Sequence, residues 1–269
     1  VNQFRLRHAY VKLDWDDVSL LAGQYWHPLF VTACFPGVVS FNTGMPFQPF
    51  SRNPQLRLTK LFGKTQVDAS LVSQRDFTGP GGSITLRNAV IPNLNLFIQH
   101  PLGDHLIGAS VDYKRLKPEM TTTTGLKADE TVSGISLLGF TRLNLDNATL
   151  KLEGVLGQNL FDHLMVSGYA VKEVKPVTGE RVFTPMKLFS FWADFVTGKD
   201  VQYGFFAGYT KNQGTVDDNI GVYYSGRQNI DNVMRIAPRV IWNSGTTRLA
   251  GELEYTSAAF GSNDPDGTV

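Results

Sequence analysis

An all-β fold of long antiparallel strands is predicted for this chain of 269 residues, and three observations indicate it. Runs of roughly ten residues alternate apolar and polar side chains, which is the period of a β-strand. Six short turns separate these runs, with about 40 to 53 residues from one turn to the next, enough for two bilayer-crossing strands and one long loop. No apolar run of about 18 residues is present to form a transmembrane helix. The pattern predicts a transmembrane antiparallel β-barrel of the outer-membrane type, with short periplasmic turns and long extracellular loops.

Twelve strands and six turns account for most of the chain. The strands are predicted at residues 4–15, 18–27, 55–62, 65–76, 86–100, 105–113, 132–145, 148–158, 185–196, 201–212, 232–242 and 246–256. The turns are predicted at Asp16-Asp17, Gly63-Lys64, Gly103-Asp104, Asp146-Asn147, Gly198-Lys199-Asp200 and Ser244-Gly245. Pro92 and Pro238 lack the N–H that a strand donates, so each predicts a bulge or an edge-like position.

The two faces of each predicted strand differ in polarity. In residues 105–113, Ile107 and Val111 share one face, whereas Ser110 and Asp112 share the other. A soluble β-sandwich alternates in the same way, but its strands are usually shorter, about five or six residues. Aromatic side chains near the short turns also favour a membrane barrel, whose lipid face carries such girdles: Trp15, Phe62, Tyr203 and Trp242.

The composition argues against several classes of protein. Lys and Arg number 25 against 24 Asp and Glu, so the basic surface of a nucleic-acid-binding protein is not expected. Cys34 is the single cysteine, which excludes an intramolecular disulfide and a cysteine-rich metal site. The five histidines do not combine with serine and a polar partner in the pattern of an outer-membrane hydrolase. We therefore expect neither an enzyme nor a cofactor or metal.

Both the first and the last predicted strand have their free end on the side of the long loops. Bacterial barrels start and end in the periplasm with an even number of strands, so we expect the wall to continue at both ends, giving about 14 to 16 strands in all. Residues 1–269 would then be one outer-membrane β-barrel domain, of which twelve strands are visible.

Residues 28–53 form the most unusual predicted loop. The segment is rich in Phe, Pro and Gly and carries no charge before Arg52. An exposed loop of this composition would be an adhesive apolar surface. We expect it to fold inward against the wall and narrow a pore, and burial at a subunit contact is the alternative.

Charged side chains concentrate on the face that would line the lumen, because a charge on the lipid face costs about 2 to 4 kcal/mol near the midplane. They are either opposed rows that create a transverse field in a pore or paired charges that fill a narrow barrel. The predicted pore-lining residues are Arg52, Arg57, Asp68, Asp112, Lys114, Arg142, Lys151, Glu153, Asp194, Arg235, Arg239, Arg248, Glu252 and Glu254.

The segments FRLRHAYVKL (residues 4–13), LAGQYW (21–26) and SRNPQLR (51–57) resemble a strand pair of DcaP-like porins, a family of trimeric 16-stranded outer-membrane channels. The similarity is strongest over residues 4–61 and elsewhere rests on the hairpin layout. It implies that an inward-folded loop narrows the pore and that basic residues attract anionic solutes. It also implies that the predicted strands are the fourth to the fifteenth of the barrel.

These inferences together predict an outer-membrane porin, a homotrimer in contact with outer-membrane lipids and lipopolysaccharide. Small hydrophilic solutes, anions among them, would diffuse passively through its lumen. A non-conducting structural or receptor barrel is the alternative, and an outer-membrane hydrolase is a more distant one.

Overall fold

The computed structural model describes residues 6–73, 88, 91–225, 227, 229–262 and 266. Its strands are β1 (Ala9–Asp14), β2 (Val18–Trp26), β3 (Arg52–Phe62), β4 (Thr65–Val72), β5 (Asn93–Leu102), β6 (His105–Leu116), β7 (Val132–Leu145), β8 (Ala148–Gln158), β9 (Tyr169–Val174), β10 (Arg181–Gly198), β11 (Val201–Thr215), β12 (Tyr223–Tyr224), β13 (Ile230–Ser244), β14 (Thr247–Glu252) and β15 (Tyr255–Phe260). One 3-10 turn, Phe161–His163, follows β8. Within the described residues, no helix has the length and apolar character needed to cross a membrane.

The strands form one antiparallel sheet in which neighbours in space are mostly neighbours in sequence. Its order is β1-β2-β3-β4-β5-β6-β7-β8-β10-β11-β13-β14. In addition, β9 pairs with the first residues of β10, 181–185, and β12 pairs with β9. Over the residues that the structure describes, β1 pairs with β2 alone and β14 pairs with β13 alone. The sheet is therefore open, with β1 at one edge and β14 followed by β15 at the other.

The predicted turns and most of the predicted strands are confirmed. Each of the six short turns joins two adjacent antiparallel strands, and residues 132–145 and 148–158 coincide with β7 and β8. The prediction for 86–100 was wrong at its start, since β5 begins at Asn93, directly after Pro92. Proline has no N–H for the ladder and disturbs the residue before it. Residues 4–5 and 74–76 of the predicted strands, and part of 86–90, lie outside the described residues.

Pro238 explains why the last predicted strand, 246–256, is divided into β14 and β15. Both segments pair with β13 in one continuous register, which brings Pro238 opposite Leu253. The Leu253 N–H donates to the Pro238 carbonyl at 3.0 Å, but proline cannot return the second hydrogen bond of the pair. The ladder is therefore interrupted at residues 253–254 and resumes as far as Phe260.

Side chains on the two faces of the sheet have different surroundings. On one face, which we call the apolar face, Leu94, Leu96 and Ile98 of β5 are between 44 and 51% exposed. Trp15, Phe62 and Trp242 are exposed on this face beside the short turns. On the opposite face, which we call the covered face, Ser110, Asp112 and Lys114 of β6 are buried. A regular sheet with an exposed apolar face and a polar covered face is the pattern of a barrel wall in lipid.

The long loops at the other end of the strands contain secondary structure of their own. Residues 168–184 contain β9 and the start of β10, and residues 212–231 contain β12, whereas residues 117–130 are mostly exposed and contain one isolated β-bridge. Tyr169, Val171 and Phe183 pack with Leu116 and Val132 in a small apolar cluster. Ion pairs surround this cluster, among them Lys175 with Glu130 at 2.5 Å and Arg181 with Glu119 at 2.7 Å. Apolar residues spaced between the charges therefore give these loops a packed core.

Candidate functional site

The loop that joins β2 to β3, residues 27–51, lies across the covered face. Its side chains Leu29, Cys34 and Phe47 are fully buried and belong to one cluster with Trp192 and Phe206 of the wall. Ring contacts join Phe47 to Phe206 at 5.9 Å between centroids. The loop therefore covers the apolar side chains that the wall directs to this face, and its own apolar composition is explained by that burial.

A glycine of the wall provides the space for this contact. A Cβ atom at Gly208 of β11 would lie 2.5 Å from the ring of Phe47, closer than any side chain allows. The Ser190 hydroxyl donates to the Phe47 carbonyl at 2.8 Å from the neighbouring strand. The position of Phe47 is thus determined from both its ring and its backbone.

The tip of the loop is attached to the wall by basic side chains of β7 and β8. Arg142 Nη1 donates to the Ala33 carbonyl at 3.0 Å, and Lys151 Nζ donates to the Phe35 carbonyl at 2.9 Å. Cys34 lies between them with its Sγ 3.4 Å from the carbonyl of Thr141, and burial raises the pKa of its thiol to about 12. Within the described residues, both side chains are therefore hydrogen-bonded to neutral carbonyl groups and to no carboxylate.

Acidic side chains attach the next part of the loop to β14 and the residues that follow it. The Val39 and Ser40 N–H groups donate to Glu252 at 2.9 and 3.2 Å. Asn42 Nδ2 donates to Glu254 at 2.7 Å. Two loop N–H groups, of Val39 and Ser40, obtain their hydrogen-bond partner in this way.

Arg235 completes this attachment from β13. Its Nη1 donates to the Met45 carbonyl at 2.7 Å, while its Nε lies 3.2 Å from Glu254. Its guanidinium also lies over the ring of Phe47, 5.3 Å from the centroid. One arginine thereby links the loop backbone, a loop aromatic ring and an acidic residue of the wall.

The most buried ion pair of the molecule's described part joins Asp194 to Arg239. Arg239 Nη1 and Nη2 donate to the two carboxylate oxygens at 2.7 and 3.0 Å, and both side chains are almost fully buried. The Gly37 N–H of the loop donates to the same carboxylate at 2.9 Å. A Cβ at Gly204 would lie 2.5 Å from Arg239 Nε, so glycine is needed beneath the guanidinium.

Arg57 and Asp68 lie on the other side of the loop, on β3 and β4. Arg57 donates to the Trp26 carbonyl at 2.7 Å and to Gln55 Oε1 at 2.8 and 3.0 Å. Asp68 accepts from Gln66 Nε2 at 2.9 and 3.1 Å. Two cavities, of about 430 and 160 Å³, both reach Arg57, Gln66 and Asp68.

The predicted pore-lining residues, apart from Arg52, share the covered face. Glu153 is buried there and accepts from the indole N–H of Trp192 at 3.2 Å. Arg248 has the same phase but is exposed near the edge of the sheet. The residues with this phase are Arg57, Asp68, Asp112, Lys114, Arg142, Lys151, Glu153, Asp194, Arg235, Arg239, Arg248, Glu252 and Glu254.

Arg52 has the opposite phase, which corrects its inclusion in that set. Residues 52 and 53 begin β3 and do not belong to the loop, and Arg52 pairs with Trp26 across the ladder. Its guanidinium lies over the Trp26 ring, 3.6 Å from the centroid. Period-two alternation from Arg57 already places residue 52 on the apolar face, and only the loop boundary concealed this.

A buried histidine pair at the base of the loop was not predicted as a site. The rings of His27 and His163 lie 4.4 Å apart, His27 Nδ1 accepts the Leu29 N–H at 3.2 Å, and His163 Nδ1 lies 3.1 Å from the Ser51 hydroxyl. His27 Nε2 is 3.7 Å from Asp112. The base of the loop is thereby joined to β6 and to the turn after β8.

Charges surround the histidine pair without ionising it. Lys114 bonds Asp162 at 2.6 Å and also donates to the carbonyl of Asn159. Burial lowers the pKa of both imidazoles well below 6.5, and positive charge on Lys114 adds to the effect. In the part of the chain that the structure describes, no three His, Cys, Asp or Glu residues are grouped to hold a metal ion. The pair is therefore a neutral, structural contact at pH 7.

Acidification is expected to loosen the base of the loop through these histidines. The pKa of each imidazole is lower in the folded protein than in the unfolded chain, so the unfolded chain binds protons more readily. The free energy of unfolding is therefore unaffected by these histidines above pH 6.5 and decreases as the pH falls below 6.5. At pH 5 the loss reaches at most about 2 kcal/mol per imidazole. The measurement is urea unfolding in lipid vesicles at pH 7.5 and 5.

The double variant His27→Asn and His163→Asn is expected to lose most of this pH dependence, since the amide oxygen or nitrogen of Asn can replace Nδ1 but cannot titrate. His105→Asn is the matched control, because His105 Nδ1 also accepts a backbone N–H, from Asn144 at 3.2 Å, but is only half-buried. An unchanged pH dependence in the double variant would contradict the assignment.

Comparison with solved structures finds this fold in outer-membrane proteins. The outer membrane channel DcaP of Acinetobacter baumannii superimposes with a TM-score of 0.67 at 16% identity, over 94% of this chain and 68% of that chain. Outer-membrane expressed OmpT of Vibrio cholerae gives a TM-score of 0.59 at 11% identity, over 94% of this chain and 71% of that one. A trimer form of OmpT gives 0.60 at 8% identity, over 100 and 76%.

No protein-family model and no curated protein matches the sequence. The structural likeness establishes the fold of an outer-membrane β-barrel, of the kind that DcaP has. The exposed apolar face and the shared fold together assign the protein to the bacterial outer membrane.

Proposed function

We propose that this protein is a porin through which small hydrophilic solutes, anions among them, diffuse passively across the outer membrane. The observation that carries the proposal is the β2–β3 loop, which charged side chains of the wall hold along the covered face. A barrel whose interior were only a packed core would not need so many ionised groups there, since buried charges are costly. In a water-filled lumen the half-buried members of this set, Arg142, Lys151 and Glu252, are inexpensive.

The balance of charge supports the inclusion of anions. Arg57, Arg142 and Lys151 donate to carbonyl or amide oxygens and not to carboxylates. Their positive charge is therefore not offset by a bonded carboxylate. Several acidic residues are likewise bonded to neutral donors, so the preference for anions is expected to be modest.

A non-conducting structural or receptor barrel is the second candidate. It is favoured by the aromatic cluster of Phe47, Trp192 and Phe206, which fills part of the space over the covered face. Enzymatic activity is not part of the proposal: Ser51 and His163 are hydrogen-bonded, but each is only 1% exposed, so a substrate does not reach them.

The proposal includes a homotrimer embedded in outer-membrane lipid and lipopolysaccharide through its apolar face, and a barrel completed by strands beyond β1 and β14. A trimer form of the similar OmpT supports the first part, and the unpaired edges of the sheet support the second, since lipid does not satisfy free strand edges.

The test is the conductance of the purified, folded full-length protein in planar lipid bilayers. We expect discrete conductance steps, and in a salt gradient a reversal potential of the sign for a modest anion preference. Protein denatured by heat in the same detergent is the control. Folded protein that inserts into bilayers without conducting would favour the non-conducting barrel.

A further inference from the structure

The β2–β3 loop divides the covered face into two unequal sides. Its hydrogen bonds to the wall from residues 33–47 go to side chains of β7, β8, β10, β13 and β14 and of the residues after β14. The same side holds the buried rings of Phe47, Trp192 and Phe206. Attachment and packing therefore close the interior on the side of β7 to β14.

The open space lies on the opposite side. The cavity of about 160 Å³ is bounded by loop residues 28–33 and by Gln66, Asp68, Phe97 and Gln99 of the wall. The cavity of about 430 Å³ continues along β1 to β4 toward the short turns. Since a water molecule occupies about 30 Å³, each cavity has room for several waters or a small polar solute.

Arg57, Gln66 and Asp68 stand where the two cavities meet, because they line both. Asp68 is directly opposite Thr59 in the ladder, so Arg57 and Asp68 are diagonal neighbours, about 7 to 8 Å apart at their α carbons. In the described residues neither takes part in an ion pair with another side chain. A positive and a negative charge therefore face the same passage without cancelling each other through contact.

The amide side chains at this point are oriented by the acid. Gln99 Nε2 donates to Gln66 Oε1 at 2.9 Å, and Gln66 Nε2 donates to Asp68. The chain of hydrogen bonds fixes which atoms face the cavity, in contrast to freely rotating amides. At the junction of the two cavities the passage is consequently lined by one cation, one partly shielded anion and an ordered amide pair. Other charged side chains, Lys12, Asp14, Asp16 and Asp17, line only the larger cavity, in β1 and the short turn after it.

We propose that solutes pass only on the β1 to β5 side of the loop, and that Arg57 and Asp68 determine the charge selectivity of the passage. This rests on the proposed porin function. Arg142, Lys151 and Asp194, the last of them supported by Arg239, instead hold the loop in place on the opposite side and have little direct influence on a passing ion.

The test compares reversal potentials of matched variants in a salt gradient across a planar bilayer. Arg57→Gln is expected to lower the anion-to-cation permeability ratio about threefold, the effect of one charge at a few ångströms in a wet passage. Asp68→Asn is expected to raise the ratio, by less because Asp68 is only 2% exposed. Arg142→Gln is the control, since Arg142 also donates to a loop carbonyl, and Glu153→Gln is the control for the acid.

Cys34 reports whether the loop keeps its position in each variant. Its thiol is fully buried at the loop tip, so it reacts with a maleimide only if the tip leaves the wall. The inference would be overturned if Arg142→Gln shifted the anion-to-cation permeability ratio as much as Arg57→Gln does while Cys34 stayed protected from the maleimide. Arg57→Gln and Asp68→Asn channels with wild-type reversal potentials would overturn it as well.

A second measurement does not depend on changing a charge. In a Cys34→Ala background, Gln66→Cys is expected to lose most of its conductance on reaction with a bulky thiol reagent, whereas Thr149→Cys, half-buried on the covered face of β8, is expected to keep it. Conductance that persists after complete labelling of Gln66→Cys would also overturn the inference. Wild-type protein that never conducts would instead contradict the proposed porin function itself.

Discussion

Ile98→Arg is expected to destabilise the folded protein by about 2 to 4 kcal/mol, the cost of a cation on the lipid face near the bilayer midplane. Ile98 lies on the apolar face of β5, 45% exposed, with Val67 and Ala109 as its direct neighbours across the ladder. None of the three offers the guanidinium a hydrogen-bond partner. The measurement is the free energy of unfolding by urea in phospholipid vesicles.

Leu102→Arg is the matched control on the same strand. Leu102 has nearly the same exposure, 49%, but adjoins the short turn at residues 103–104. There the arginine reaches the headgroups, so a cost of about 0 to 1 kcal/mol is expected. Equal and small costs at both positions would contradict the assignment of this face to lipid, because exposed residues of a water-soluble sheet tolerate either change.

Asp194→Asn is expected to cost about 3 to 5 kcal/mol, because it leaves the Arg239 guanidinium buried without its counter-charge. The amide can still accept one hydrogen bond, but it loses the bidentate contact and faces the Gly37 N–H with weaker acceptor strength. The free energy of unfolding is the first readout. Faster labelling of Cys34 is the second, since the loop tip loses one of its attachments.

The double variant Asp194→Leu and Arg239→Met distinguishes two causes of this loss: the unpaired charge on Arg239, and the missing hydrogen bond from the Gly37 N–H. Removing both charges with apolar side chains of similar size is expected to restore much of the unfolding free energy, while Cys34 stays more reactive than in the wild type because Gly37 remains unattached. Glu252→Gln, at the more exposed loop attachment, is the control and is expected to cost less. An Asp194→Asn protein as stable as the wild type would contradict the importance of the pair.

The local pattern of the sequence predicts the wall well. The exposed and buried sides of β6 follow from alternation alone, and β7 ends and β8 begins on the two sides of the polar turn residues 146–147. Pro238 was expected to disturb its strand, and it does so by leaving Leu253 with half of its hydrogen-bonded pair. The short β9 and β12 were missed because their alternation spans too few residues, and because the pairing of Tyr223 with Ala170 joins segments that are distant in sequence.

For the candidate site, the sequence predicts on which face of the sheet a side chain lies, but not which residues it bonds. Period two places Asp194 and Arg239 on the covered face, yet nothing in the sequence indicates that they bond each other and Gly37. His27 and His163 meet only because the loop and the turn after β8 both cross the covered face. Such contacts depend on three-dimensional crossing of irregular segments, which residue spacing does not encode.

The like charges of Arg142 and Lys151 are directly opposite each other in the β7–β8 ladder, an arrangement that by itself weakens strand pairing. The repulsion is offset by Asp194, which is directly opposite Lys151 on β10, and by a pair of carbonyls supplied by segments 109 and 116 residues earlier in the chain. A hairpin that looks local is therefore stabilised in part by a remote segment. A loop that swung freely would restore the repulsion, so residues 27–51 are better described as a fixed partition than as a moving gate.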